Sequence, residues 1–258
     1  MNDLVLYTVN NRVGYITLNR PEKRNALSFD FVQQIKRVFL QAENDESCKV
    51  IVIKGNGEAF CSGADLASLQ TMQNNTFDEN LADSKNLMEL FLLIYQSKKV
   101  VIAQVEGAAL AGGCGLATVC DFCFATIQSK FAYTEVKIGF VPAIVMVFLI
   151  RKVGEQTAKR ILLTAEMLNA EQAKNLQLIN EVIVDEEIEE YVFNFAQKLC
   201  TSASGQSLTL TKQMINEVQN KTLIEALNYA AEMNAFARQT NDCKSGINAF
   251  LNKEKIAW

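Results

Sequence analysis

The chain contains no histidine at all. That absence excludes Ser-His and Cys-His nucleophilic pairs, histidine-bound metals and imidazole acid–base chemistry, and it leaves proton transfer to carboxylates, Tyr, Lys or Cys. Proline is nearly missing, with 2 residues, and glycine is modest at 12 of 258. No Pro/Gly-rich linker, internal repeat or low-complexity tract divides the sequence. Positive charge is not in excess either: the net charge of -4 offers no global field for nucleic acid or an anionic membrane surface, and neither is expected as a partner. An anionic ligand must therefore be met by local cations. The longest apolar run, Ile138 to Ile150, is broken by Gly139 and Pro142 and falls short of the roughly 20 residues that span a bilayer. A buried helix is the expectation there. The segment MNDLVLYTVNNR lacks the basic region, apolar stretch and cleavage site of a secretory signal, so a cytoplasmic protein is expected.

Seven cysteines are an odd number with no export signal beside them, which favours reduced thiols. Cys120 and Cys123 form a lone CxxC with Cys114 upstream, but a metal site would want a fourth ligand and histidine cannot supply it. Small buried residues are the expected role, and no metal, flavin or nicotinamide is implied.

What remains is the composition of a folded chain, 49% hydrophobic and 21% charged, long enough to bury a large core. Leu4 to Val9 and Val13 to Leu18 alternate around Asn10-Asn11-Arg12 and predict a β-hairpin. Ser28 can cap a helix running to about Ala42, and Val50 to Ile53 reads as a strand buried on both faces. Helices near Asp65 to Met72 and Asn80 to Tyr95 flank a polar connection at Gln73 to Phe77. Strands follow at Val100 to Val105 and Phe122 to Thr126, separated by a small-residue segment leading into a short helix. This rhythm predicts an α/β protein. Beyond Glu155 the signals are helical, at about Ile188 to Cys200, Ser207 to Val218 and Ile224 to Arg238, apart from an apolar stretch at Leu178 to Val184. A β-rich core over residues 1–195 carrying the chemistry, followed by a helical region over 196–258, is the expected division.

Two glycine-containing turns each precede a helix: Cys61-Ser62-Gly63-Ala64-Asp65 and Ala111-Gly112-Gly113-Cys114-Gly115. Helix starts leave backbone N–H groups unpaired, so two such turns facing one another would form an oxyanion hole. The competing reading is that the glycines only let the chain turn tightly. Neither turn is a phosphate-binding loop, since no GxGxxG or GxxxxGK[ST] occurs. Glu135 lies in an otherwise mostly apolar neighbourhood, where desolvation would raise its pKa into a range useful for proton transfer. A salt bridge to Lys137 or exposure to solvent is the alternative.

In order along the chain, Asn19-Arg20-Pro21-Glu22-Lys23-Arg24-Asn25-Ala26-Leu27, Ala59-Phe60-Cys61-Ser62-Gly63-Ala64-Asp65, Val105 to Cys114, Cys120-Asp121, Glu135, Gly139-Phe140-Val141-Pro142 and Ala249 to Lys253 resemble the crotonase (enoyl-CoA hydratase/isomerase) family. The resemblance covers essentially the whole chain. It implies a spiral ββα core with a helical C-terminal region that packs trimers, usually paired into hexamers. It also implies an acyl-coenzyme A thioester as substrate, with coenzyme A entering only as part of that substrate and no separate cofactor. The residues matching the family's oxyanion donors are Ala64 and Gly112, and the acid/base is Glu135. The same resemblance places the coenzyme A nucleotide near Lys23, Arg24 and Ala26, the remaining substrate contacts at Ser62, Gly63, Asp65, Leu66, Gly113 and Pro142, and Phe250 and Lys253 as closing the site.

The family's hydratases hold a water between two glutamates. Here the first position is Gly115, which cannot move a proton. A single-glutamate hydratase or dehydratase is expected, similar to branches acting on branched or carboxylated acyl groups such as methylglutaconyl-CoA hydratases. A Δ3,Δ2-enoyl-CoA isomerase and a non-catalytic acyl-CoA or acyl-carrier-protein binder are the alternatives.

Overall fold

The computed structural model describes residues 3–256 and 258. The predicted hairpin is β1 (Val5–Asn10) and β2 (Val13–Leu18), paired antiparallel from Val5 opposite Leu18 to Asn10 opposite Val13. Helix α1 (Phe29–Asn44) starts where expected, with the Ser28 side chain accepting from the Phe31 N–H, and it buries Phe31, Val32, Ile35, Val38, Phe39 and Ala42. From β3 onward the chain repeats one pattern. A strand of a large sheet hands over at its carboxyl end to a short strand of a second sheet, and a helix returns. The repeats are β3 (Val50–Gly55), β4 (Ala59–Cys61), α2 (Leu66–Met72) and α3 (Phe77–Tyr95); then β5 (Val100–Val105), β6 (Ala108–Leu110) and α4 (Gly112–Thr118); then β7 (Phe122–Thr126), β8 (Lys130–Ala132) and α5 (Ala143–Thr164). There follow β9 (Leu168–Asn169), α6 (Ala170–Asn175), β10 (Glu181–Ile183), α7 (Ile188–Ser202), α8 (Gly205–Val218), α9 (Leu223–Gln239) and α10 (Asn241–Asn252).

The large sheet has the order β1-β2-β3-β5-β7-β10, parallel from β2 onward; the small one runs β4-β6-β8-β9. β5 is buried along its whole length, and β3 over Val50–Ile53, because one face of the sheet packs on α1, α3 and α4 and the other on α7. That two-sided cover is why their sequences are continuous apolar runs rather than alternating ones. α7 passes through position 195, its Ala196 and Cys200 are buried against the sheet, and Leu208 of α8, in the helical region that follows, packs on the same cluster. Asp121 ties that region back: its carboxylate accepts from the Val101 N–H at 2.7 Å and from Lys212 of α8 at 2.7 Å. No helix among the described residues is long and apolar enough to cross a membrane.

Three expectations are corrected. The connection before α3 is shorter than expected, because Thr76 and Glu79 form a capping box that starts the helix at Phe77; the Thr-x-x-Glu signal was present in the sequence. The run Ile138 to Ile150 is not a buried helix. Its first residues are a 3-10 turn and a loop, α5 begins only at Ala143, and Ile138, Phe140, Val141, Met146, Val147 and Ile150 are exposed while Val145 and Leu149 are buried. α10 follows α9 as a further helix that the sequence reading does not include, although Cys243, Ile247, Phe250 and Leu251 recur at helical spacing; it buries only Ala249.

Candidate active site

β4, β6 and β8 are adjacent and parallel. Their carboxyl ends therefore lie side by side, and each is followed at once by one of the segments singled out from the sequence: Ser62–Asp65, Ala111–Gly112 and Thr134–Glu135. Ligands of parallel sheets sit at this end for the same reason, since the turns there project past the strands.

The first turn is held by the loop ahead of α1. Leu27 N–H donates to Gly63 O at 2.7 Å and Asp65 N–H to Leu27 O at 3.0 Å, a parallel bridge that leaves the Ala64 N–H, between them, directed away from the pairing. In the second turn, Ala111 N–H donates to Ala132 O at 2.7 Å, and Ala111 itself holds φ 48°, ψ −121°. This conformation is costly for a residue with a Cβ, and it reverses the chain so that Gly112 opens α4 with its N–H unused by the helix.

The two turns meet across Gly63. A Cβ built on Gly63 would stand 2.9 Å from Ala111 Cβ, 2.9 Å from Leu110 O and 3.6 Å from Gly112 N. A Cβ on Gly113 would stand 2.1 Å from Cys61 O. Glycine at these two positions lets the turns close to contact distance, and the φ of 88° at Gly63 also meets the plain-turn reading.

Glu135 follows β8 and is 9% exposed, with Oε2 buried and without a hydrogen-bond partner among the described residues. Neither a salt bridge to Lys137 nor exposure describes it. Burial raises its pKa above the ordinary glutamate value, offset only in part by a hydrogen bond from its own backbone N–H. Behind it the fully buried Tyr133 hydroxyl bonds Thr118 Oγ1 at 2.7 Å, fixing the end of β8 to α4. The raised pKa has a consequence for stability. The native state holds the Glu135 proton more tightly than the unfolded chain, so the stability present below the unfolded pKa is lost as pH rises through the native one. Glu135→Gln is therefore expected to melt above the wild type at pH 8, with the difference vanishing near pH 4. Thermal unfolding of both proteins across that range is the check, and a variant less stable at pH 8 refutes it.

Lys23 and Arg24 are exposed on the loop beside the first turn, with Arg24 O accepting from Ser62 N–H at 3.0 Å, and Ala26 is buried in the same loop. Asn25, quoted in the motif but given no role from sequence, pins that loop: fully buried, it accepts from Arg20 N–H at 2.8 Å and donates to Asn56 O at 3.0 Å and Ala59 O at 2.9 Å. Leu66 is 77% exposed at the start of α2, Pro142 is half-buried ahead of α5, and Gly113 is buried. The Asp65 carboxylate is occupied: it caps α2 through the Ala67 N–H at 2.9 Å and pairs with Arg20 at 2.8 Å, and that pairing, with the backbone N–H donors, holds its pKa low against the opposing effect of burial. Phe250 lies near the end of α10, 82% exposed, and Lys253 is the residue that ends this helix. α10 packs on α8 and α9, its Asp242 bonds Ser204, and the Trp258 ring that covers Gly246 belongs to a residue whose carbonyl accepts from Arg12, at the amino ends of the strands.

The family model described as "Enoyl-CoA hydratase/isomerase" matches residues 8–258. A Thermus thermophilus protein with enoyl-CoA hydratase in its name is 39% identical over 241 residues, covering 93% of this chain and 95% of its own. The crotonyl-CoA hydratase of Syntrophomonas wolfei is 34% identical, covering 95% and 93%. The crystal structure of an enoyl-CoA hydratase from Shewanella pealeana superposes with a TM-score of 0.93 at 28% identity, covering 99% of this chain and 96% of that one. With the ββα spiral and the matched motifs, these likenesses place the chain in one enzymatic family: it belongs to the enoyl-CoA hydratases/isomerases.

Proposed function

We propose that the chain adds water reversibly across the α,β double bond of an enoyl-CoA thioester, with the Ala64 and Gly112 N–H groups on the thioester oxygen and Glu135 as the one acid/base. The observation that carries this reading is the buried Glu135 carboxyl following β8, whose Oε2 has no partner among the described residues, next to two strands that end in facing turns with unused amides. In water the enolate of a thioester is poorly stabilised. Two aimed donors hold its charge on oxygen, and losing one such donor typically costs about 3 kcal/mol. Water attacks Cβ as Glu135 takes its proton, the π electrons move onto the thioester oxygen, and the Glu135 acid returns the proton to Cα.

Lys23 and Arg24 meet the phosphates of coenzyme A, with Ala26 beside the nucleotide; they are the local cations that an acidic chain requires. A closing role for Phe250 and Lys253 needs a second copy of the chain. The C-terminal helices suit that arrangement, because α9 buries none of its residues while Leu223, Ile224, Leu227 and Phe236 lie exposed, and a homotrimer or hexamer would cover them.

Gly115 favours one second reading. With a single carboxyl and no partner for a water, Glu135 can move a proton between Cα and Cγ, shifting a double bond as a Δ3,Δ2-enoyl-CoA isomerase does. Crotonyl-, 3-enoyl- and methylglutaconyl-CoA, each followed by mass and absorbance, separate these outcomes. Gain of one water is the expected result, and the best substrate of the three fixes the acyl preference. Unchanged mass with a new conjugated chromophore means isomerisation. Binding without change overturns the enzymatic reading.

A further inference from the structure

Arg20 closes the loop that bears Lys23 and Arg24. Its carbonyl accepts from the Lys23 N–H at 3.1 Å and the Asn25 N–H at 3.0 Å, and its own N–H donates to Asn25 Oδ1 at 2.8 Å. Arg24 and Asn25 hold φ 50° and 53°, successive left-handed residues that are unfavourable when a Cβ is present, so the loop keeps this shape only where it is tied down. The Arg20 guanidinium also reaches the first oxyanion turn. Nη1 donates to Ala26 O at 3.0 Å and meets Asp65 Oδ2 at 2.8 Å, with 17% of the Arg20 side chain and 8% of the Asp65 side chain exposed. The other Asp65 oxygen accepts from the Ala67 N–H at 2.9 Å.

Capping alone does not explain this ion pair. α2 has 7 residues and buries none of them, and a neutral Asn or Ser would cap it as well. What the pair does hold is residue 65 against residue 26, on both sides of the Leu27 bridge. In a trans peptide the C=O and the following N–H point in opposite directions. Gly63 O is turned onto the Leu27 N–H, so the seating of this bridge sets the direction of the Ala64 N–H. Resting on the reading of the Ala64 and Gly112 amides given above, we propose that Arg20 is a positioning residue: through Asp65 and the Ala26 carbonyl it locks the first oxyanion turn to the loop that meets the coenzyme A phosphates. The thioester oxygen and the nucleotide end of the substrate are then gripped by parts of one rigid unit. Both Asp65 oxygens are occupied, so the pair acts through the backbone.

The test uses the full chain and two readouts. One is steady-state hydration of crotonyl-CoA. The other, independent of turnover, is the absorption of bound para-dimethylaminocinnamoyl-CoA, a donor–acceptor chromophore whose band moves to the red as its thioester carbonyl is polarised. Arg20→Gln is expected to lower kcat by about 10- to 100-fold, the loss that follows a misplacement of about 1 Å, and to shrink the red shift at saturation. Asp65→Asn, which keeps a capping side chain on α2, should do the same, and the double variant should be no worse than the weaker single one. Arg20→Lys keeps the charge and should recover part of both readouts. Wild-type kcat and red shift in Arg20→Gln and Asp65→Asn overturn the inference. So does a loss confined to KM or Tm, which would mark a grip on the nucleotide or a structural role, and so do two variants that fail to fold. A wild-type chain that binds the chromophore with no red shift would instead remove the reading of the two amides itself.

Discussion

Glu135→Gln is expected to lower the turnover of crotonyl-CoA by about 10²- to 10⁴-fold, the range supplied by a positioned acid/base, or roughly 3 to 5 kcal/mol of activation free energy. The amide is nearly isosteric with the carboxyl and fits the same buried position, but it can neither take a proton from water nor return one to Cα. Nothing else in the proposed site changes. The Ala64 and Gly112 amides are fixed by backbone pairing with Leu27 and by the start of α4, and Lys23 and Arg24 lie on a loop held by Asn25. Binding of crotonyl-CoA, measured by calorimetry, should therefore stay within a few-fold of the wild type while kcat falls. The higher melting temperature expected at pH 8 separates this result from misfolding. Wild-type turnover in the variant would take Glu135 out of its assigned role.

The parts of the molecule that could be read from sequence are those whose signals are local. Ser28 before a 3.6-residue apolar period defines α1, and the unbroken apolar segments at Val50 and Val100 define strands covered on both faces. The small sheet carries no such signal. β4, β6 and β8 have three residues each, too few for any period, and they exist because the large sheet directs each strand end to the same place. The site inherits this limit. Both glycine turns and Glu135 are visible as segments, but that they follow neighbouring parallel strands comes from the pairing of β4, β6 and β8. The Ile138–Ile150 run shows the converse: apolar composition alone predicts burial, yet part of the stretch faces outward in the single chain.

The second large effect is expected at Gly115, where restoring a glutamate should damage the protein and leave hydration no faster. Gly115 lies three residues after Gly112 on the same face of α4. A Cβ there would stand 2.3 Å from Val145 Cγ1 and 3.0 and 3.1 Å from Phe91 Cε2 and Cζ. Val145 is β-branched and 3% exposed, Phe91 is fully buried, and neither can swing aside freely. Even Gly115→Ala should cost about 1 to 3 kcal/mol by overpacking, or roughly 2 to 4 °C in Tm per kcal/mol for a chain of this size. Gly115→Glu adds a desolvated charge to that strain and should fall further. Because the worst contact is Val145 Cγ1, combining Gly115→Glu with Val145→Ala removes the clashing atom. The double variant should be more stable than the sum of its single changes by about 0.5 to 3 kcal/mol, as read from urea unfolding of all four proteins. Crotonyl-CoA hydration by the double variant then asks whether a carboxyl at 115 can act beside Glu135. A single Gly115→Glu protein with wild-type stability and faster hydration would mean that α4 and α5 are looser than their packing indicates. The expected result instead makes Val145 the reason this chain carries one glutamate on that face of the site: α5 is seated so closely on α4 that only a residue without a side chain fits between them.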